Sequence, residues 1–180
     1  METERALNND NIGTAMVILQ ALYFFLPAYA SNIAPVIFRK INIFPQCVHQ
    51  RLFGKNKTWG GLLYGALFGT LVFYVQQHLS FQPVLIDYTQ QSLFFGFLLA
   101  SGAIIGDLIK SFFKRRLGKK EGAHWFPFDQ IDYVAGALLF IALLYLPPFN
   151  IIITLFILAP VLHYTTNYIG FFLGLKKVKW

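Results

Sequence analysis

Apolar residues along this chain gather into five long stretches, each near the roughly 20 residues that a membrane-spanning helix needs. They run Gly13 to Phe38, Gly60 to Leu79, Leu93 to Ile109, Tyr133 to Leu146, and Phe149 to Leu173. The fourth is short, because Pro147 and Pro148 stop it and turn the chain directly into the fifth. These two stretches therefore predict a helical hairpin with its turn at the bilayer surface. Pro27, Pro35 and Pro160 fall inside apolar stretches and are expected to kink or break them. Backbone freed that way is tolerated in a membrane only against protein or a wet cavity.

Composition supports a lipid-solvated chain. Of 180 residues 56% are hydrophobic and 13% charged, about half the charged share of an average soluble domain. An ordinary water-soluble fold is excluded, and so is intrinsic disorder, since there is ample apolar surface to bury. The single cysteine, Cys47, has no partner for an intrachain disulfide or a paired-cysteine zinc site. The expectation is an all-α, polytopic integral membrane protein with five transmembrane helices, forming one domain over residues 1–180 without internal repeats.

The formal charge of +7 is unevenly spread. Arg39, Lys40, Arg51, Lys55 and Lys57 fill the first loop. Lys110, Lys114, Arg115, Arg116, Lys119 and Lys120 close the third stretch, and Lys176, Lys177 and Lys179 end the chain. With five spans these regions share one face and hold fourteen of the fifteen basic residues. The opposite connections, Ser80 to Gln91 and the Pro147-Pro148 turn, hold none. Cations favour the cytoplasmic side, so the N-terminus is expected outside and the C-terminus in the cytoplasm of a multi-pass cell-membrane protein. The cytoplasmic loops, about 39–59 and 111–131, are where chemistry has room. A cleaved signal peptide ending near Ala28-Tyr29-Ala30 is the competing view of the start. It is disfavoured because Met1 to Ile12 carries Glu2, Glu4 and Asp10 against Arg5 alone.

Among the eight acids, Glu2, Glu4, Asp10 and Asp87 lie in outer polar segments. Asp107, Glu121, Asp129 and Asp132 lie at the inner boundary. Asp107 follows fourteen uncharged residues of its span, and an ionisable group there is costly unless paired or wetted, which marks a functional position. The plainer alternative is an interfacial carboxylate paired with Lys110 or Lys114. Asp129 and Asp132 are three apart and share one helix face. Capping a helix N-terminus accounts for one of them better than for both. With Asp107 they would form a hard oxygen site suited to magnesium, leaving positions for phosphate oxygens and water.

Asp107, Ser111, Lys114 and Arg115 fall at i, i+4, i+7 and i+8, so one helical stripe presents acid, hydroxyl and two cations. The first loop adds Gly54-Lys55-Asn56-Lys57-Thr58-Trp59-Gly60-Gly61 just before a helix, a composition that suits an anionic phosphate group. It is not a P-loop, and Trp59 equally fits an interfacial anchor. Asn32 between Pro27 and Pro35, and the i, i+4 pair His163 and Asn167, fit interhelical hydrogen bonding.

Taken together, Leu26-Pro27-Ala28-Tyr29 with Asn32 and Pro35, Phe53 to Trp59, Gly106-Asp107-Leu108-Ile109-Lys110-Ser111-Phe112-Phe113-Lys114-Arg115-Arg116, and Pro127-Phe128-Asp129-Gln130-Ile131-Asp132 resemble the CDP-archaeol synthases. More distantly the chain is similar to CDP-diacylglycerol synthases. The resemblance runs from the first span to Gly174-Leu175-Lys176 and Trp180. It implies a five-helix enzyme that transfers CMP from CTP to a membrane lipid phosphate, releasing pyrophosphate with Mg2+. It further implies Asp107, Asp129 and Asp132 as metal ligands and catalytic residues beside Lys114 and Arg115. Lys55, Asn56, Lys57, Thr58, Trp59 and Ser111 would bind nucleotide, with Asn32 as an added binding position. Where the diacylglycerol enzymes carry His-Gly-Gly and then Asp-Arg, this chain has Trp125-Phe126-Pro127-Phe128-Asp129-Gln130. That departure favours the archaeol-type branch, and the likeness to that family, rather than any one residue, implies 2,3-di-O-geranylgeranylglycerol 1-phosphate as lipid substrate.

The alternatives are a phosphatidate cytidylyltransferase acting on diacyl lipid and a non-enzymatic transporter or anionic-lipid-binding protein. A CDP-alcohol phosphotransferase is excluded by the absence of DGxxAR followed by GxxxDxxxD. Expected partners are CTP, a lipid phosphate and the bilayer, with a homodimer as a compatible assembly. Nucleic acid is not expected, since the basic residues sit in short juxtamembrane loops.

Overall fold

The structure is a computed structural model, and it describes residues 2–41, 43–79, 86–172 and 174, with the side chains of 2–12, 39 and 40 left aside. Lys176, Lys177, Lys179 and Trp180, and most of the loop from Ser80, lie outside the described residues. Seven α-helices run through the described residues: α1 (Glu2–Phe24), α2 (Leu26–Ile37), α3 (Gln50–Phe53), α4 (Trp59–His78), α5 (Leu93–Arg116), α6 (Phe128–Ile141) and α7 (Phe149–Phe172). No strand occurs among the described residues, and one isolated bridge joins Cys47 to Thr58.

The first apolar stretch is not one helix. α1 and α2 meet at Phe25 with a bend of 50°. Pro27 stands at the start of α2, where it lacks the N–H that would bond the carbonyl of Tyr23 four residues earlier. That carbonyl accepts instead from Gln76 Nε2 of α4 at 2.6 Å. Gln76 is only 2% exposed, so an orphaned backbone group is satisfied by a buried amide from another helix. Nearby, Ser31 Oγ donates to the Ala100 carbonyl at 2.7 Å and ties α2 to α5.

α4, α5 and α7 are each long and apolar enough to cross a bilayer, and α1 and α2 qualify together as a broken span. α6 differs from the predicted fourth span. It starts at Phe128 rather than Tyr133 and ends at Ile141 rather than Leu146, leaving 14 residues. At 1.5 Å per residue it reaches about 21 Å, short of a hydrocarbon core of about 30 Å. Asp129 and Asp132 consequently sit within its first turns instead of ahead of it. α5 also outruns its predicted end at Ile109 and carries the helix unbroken to Arg116.

α5 is the most enclosed of the long helices, with 44% of its apolar window buried against 17% for α7. It packs on α2, α4 and α6 through glycines. Gly61, Gly65 and Gly69 recur every fourth residue on α4, and a Cβ at Gly65 would press to 2.9 Å on the Ser31 carbonyl oxygen. Between α5 and α6 the approach is closer. A Cβ at Gly136 would be driven into the Gly102 carbonyl oxygen, and one at Gly106 into that of Asp132. Small residues allow such backbone contact in helices solvated by lipid. Phe24, Phe25, Phe73, Phe95 and Tyr133 are among the largest side chains filling the core.

Candidate active site

The glycine contact places Asp107 of α5 beside the first turns of α6. Lys110, one turn past Asp107, occupies the centre. Its Nζ lies 3.0 Å from Asp107 Oδ1, 3.2 Å from Asp129 Oδ1 and 2.9 Å from Asp132 Oδ2. Two further lysines flank this point. Lys57, from the first loop, bonds Asp107 Oδ2. Lys114 donates to Asp129 Oδ1 and Oδ2 at 2.8 and 2.9 Å, and the Trp125 N–H adds a bond of 2.6 Å to Oδ2. Three carboxylates thus face three ammonium groups in a nearly closed site, with the side chains of Asp129 and Asp132 only 9% and 6% exposed. Burying six charges is supportable only when each is paired, as here.

Asp129 and Asp132 precede Tyr133, where the apolar stretch of α6 begins. Burial works to raise the Asp129 carboxyl, but the hydrogen bond from Lys114, the charge of Lys110 and the Trp125 N–H together hold it below the usual carboxylate range. Asp132 goes the other way, to about 6, because burial and the neighbouring Asp107 charge outweigh Lys110. Two aspartates one helical turn apart are thereby distinguished.

As donors, three carboxylates converging from two helices match the hard oxygen set that a divalent ion such as magnesium takes. As placed, no three His, Cys, Asp or Glu side chains among the described residues stand close enough to hold a metal. The reason is visible in the distances. The carboxylates surround an ammonium at about 3 Å, whereas magnesium binds oxygen at about 2.0–2.1 Å. The donor chemistry fits, provided Lys110 withdraws and the carboxylates close in.

The first loop is built to deliver Lys57. Val48 N–H bonds the Lys57 carbonyl at 2.8 Å and Trp59 N–H the Gln46 carbonyl at 3.1 Å, which folds the segment back onto itself. Gly54 ends α3 with φ of 90°, a conformation glycine adopts freely. It rests against Glu121, whose Oε1 accepts from the Lys55 N–H at 2.9 Å while Oε2 lies 3.8 Å from Lys55 Nζ. The loop glycines therefore serve approaches within the protein. Gly60 packs against the Ile43 carbonyl, and Gly61 donates its N–H to Thr58 Oγ1 at 3.0 Å. Thr58 caps α4, Asn56 is exposed, and Trp59 points outward at 54% exposure, as an interfacial anchor would.

Of the stripe on α5, Asp107 and Lys114 join the centre. Ser111 Oγ bonds back to the Asp107 carbonyl at 2.8 Å, and Arg115 Nη2 turns to the Lys120 carbonyl at 3.2 Å. Asn32 is half-buried on α2 and is not among the contacts of the centre. Lys110 was not among the candidate site residues, although its i, i+3 spacing from Asp107 marks an ion pair. Gln130 was also missed. It is fully buried, and its Nε2 lies 2.9 Å from His124 Nε2.

Comparison with known proteins bears on the family of the whole chain. A family profile described as CarS-like CDP-archaeol synthase matches residues 14–180. The CDP-archaeol synthase of Methanosarcina mazei is 42% identical over 147 residues, covering 73% of this chain and 83% of that protein. That of Methanospirillum hungatei is 40% identical over 138 residues, covering 73% and 82%. That of Pyrococcus furiosus is 37% identical over 169 residues, covering 91% and 98%. A solved structure described as an intramembrane enzyme for archaeal membrane lipid biosynthesis superposes with a TM-score of 0.69 at 29% identity, covering 83% of this chain and 94% of that one. The matched residues take in α2, α4, α5, α6 and α7 with both charged loops, and the chain belongs to the CDP-archaeol synthase family.

Proposed function

We propose that this chain is a membrane-embedded, CTP-dependent cytidylyltransferase that transfers CMP from CTP to 2,3-di-O-geranylgeranylglycerol 1-phosphate, yielding CDP-archaeol-type lipid and pyrophosphate. The observation that carries the proposal is the convergence of Asp107, Asp129 and Asp132 with Lys57, Lys110 and Lys114 at one end of α5 and α6. Phosphoryl transfer asks mainly for alignment and charge neutralisation, which such a cluster supplies. A phosphate monoester oxygen of the lipid attacks the α-phosphorus of CTP, and the bond to the bridging oxygen of the β-phosphate breaks. The nucleophile is already anionic, so no strong general base is needed.

Lys57, Lys114 and Arg115 offset the negative charge of the triphosphate and of the departing pyrophosphate. Lys55, Asn56, Thr58, Trp59, Ser111 and Asn32 complete the assignment on the nucleotide side. Asp107, Asp129 and Asp132 would hold Mg2+, which when bound neutralises phosphate oxygens. Arg51, Lys55, Lys57, Lys114, Arg115 and Arg116 all belong to this end of the molecule, and the preference of cations for the inner leaflet supports a cytoplasmic active site in the cell membrane.

Asp107→Ala and Asp129→Ala should each lower incorporation of labelled CTP into lipid by about 100-fold or more. The variants should still elute from a detergent column as the wild type does. Full activity in either would remove that carboxylate from the chemistry. Offering the purified chain a panel of ether and ester lipid phosphates tests the lipid assignment, and a preference for phosphatidate would overturn it.

A further inference from the structure

Two hollows open among the charged loops, and the smaller borders the charged centre. The larger, about 660 Å3, is lined by His49, Gln50, Arg51 and Glu121, the last of which holds Lys55 of the first loop. The smaller is about 180 Å3. Lys110, Lys114 and Asp129 form its inner wall, and His124, His163 and Asn167 line the rest with Gly122 and Ala123. Its chemistry is that of a phosphate site. Two ammonium groups and up to three neutral donors converge, and the one carboxylate among them, Asp129, is already neutralised by Lys114.

The side chains of the outer wall are held in place. His124 lies between Gln130 Nε2 at 2.9 Å and the Tyr164 hydroxyl at 3.2 Å, with its ring stacked on Tyr164 at 6.1 Å between centroids. Asn167 is 3% exposed, one helical turn from His163. His163 and Asn167 stand on α7, the long helix that faces outward along most of its length. Tyr164, in ring contact with both His124 and His163, is itself an exposed position of this helix. A phosphate seated against His163 can therefore carry its ester chain past Tyr164 toward the exposed side of α7, the least enclosed of the long helices. The larger hollow has no residue of α7 in its lining.

We propose that the pocket between Lys110, Lys114, His124, His163 and Asn167 binds the phosphate of the acceptor lipid, with Lys114 standing between that phosphate and the nucleotide's. This rests on the cytidylyltransferase function proposed above. His124, His163 and Asn167 act as binding residues that donate hydrogen bonds to the acceptor phosphate, and none of them forms or breaks a bond.

The test uses the full-length purified chain with CTP and dispersed 2,3-di-O-geranylgeranylglycerol 1-phosphate. His163→Ala and His124→Ala should each raise KM for the lipid phosphate by about tenfold, the loss of roughly one hydrogen bond to a charged group. KM for CTP and equilibrium CTP binding should stay at the wild-type value, and His163→Gln, which keeps a donor, should recover part of the lipid affinity. Free pyrophosphate should inhibit wild type and variants equally. An unchanged lipid KM in both variants, or a loss confined to CTP or pyrophosphate, overturns the subsite while leaving the enzymatic function intact. A wild-type chain that transfers nothing from CTP to any lipid phosphate overturns the function, and the subsite with it.

Discussion

Lys110 is the residue on which the site turns. Its ammonium stands where three carboxylates converge, so the resting centre is neutral without any bound ion. Removing one partner from a buried cluster leaves uncompensated charge and costs about 3–5 kcal/mol. Lys110→Met should therefore lower the thermal unfolding midpoint in detergent. Added MgCl2 should raise the midpoint more in the variant than in the wild type, because Lys110 has to withdraw before the wild-type carboxylates take a divalent cation. Equal responses of variant and wild type would mean that the three aspartates do not form a cation site. Asp107, Asp129 and Asp132 were all legible in the chain, since carboxylates among apolar residues and cations are conspicuous. That a lysine would fill the space among them was not, because Lys110 reads equally as one more inner-face cation.

The helices owe their positions to groups that a hydropathy pattern does not weigh. Gly102, Gly106 and Gly136 bring α5 and α6 to backbone contact, and Asp107 follows the second of these directly. A side chain there must force the helices apart. Gly136→Val should destabilise the protein by about 1–3 kcal/mol. It should also reduce turnover more than Gly65→Ala at the α2–α4 contact, measured as kcat in the same lipid assay. Comparable kcat in the two variants would sever the link between this contact and the site. The break after Phe24 has a similar origin. Pro27 announces it, yet the buried partner for the freed Tyr23 carbonyl comes from Gln76, 53 residues away. The shortness of α6 was foreshadowed by Pro147 and Pro148, but its earlier start at Phe128 was hidden, because Asp129, Gln130 and Asp132 look like loop residues until their partners are known.

At the scale of the molecule, the charge pattern and the lone thiol allow the proposed orientation to be tested directly. Cys47 is the single cysteine of the chain and lies in the first loop, half-buried beside Thr58. In the proposed five-span arrangement, which puts fourteen of fifteen cations on its side of the membrane, a membrane-impermeant maleimide should label it in inside-out vesicles. It should not do so in right-side-out vesicles. The reverse result would place the charged centre on the outer face.

Class, helical content, the charge-bearing end and the three aspartates follow from the chain alone, because a bilayer imposes its demands residue by residue. Apolar length, cation placement and the cost of a lone carboxylate are local quantities. Only the tertiary structure decided which cation faces which acid, that Lys110 takes the centre, that the loop glycines serve packing, and that His124 joins His163 and Asn167 around one pocket. Those outcomes depend on how closely separate helices approach, and that distance is set by glycine contacts and buried amides scattered far apart along the chain.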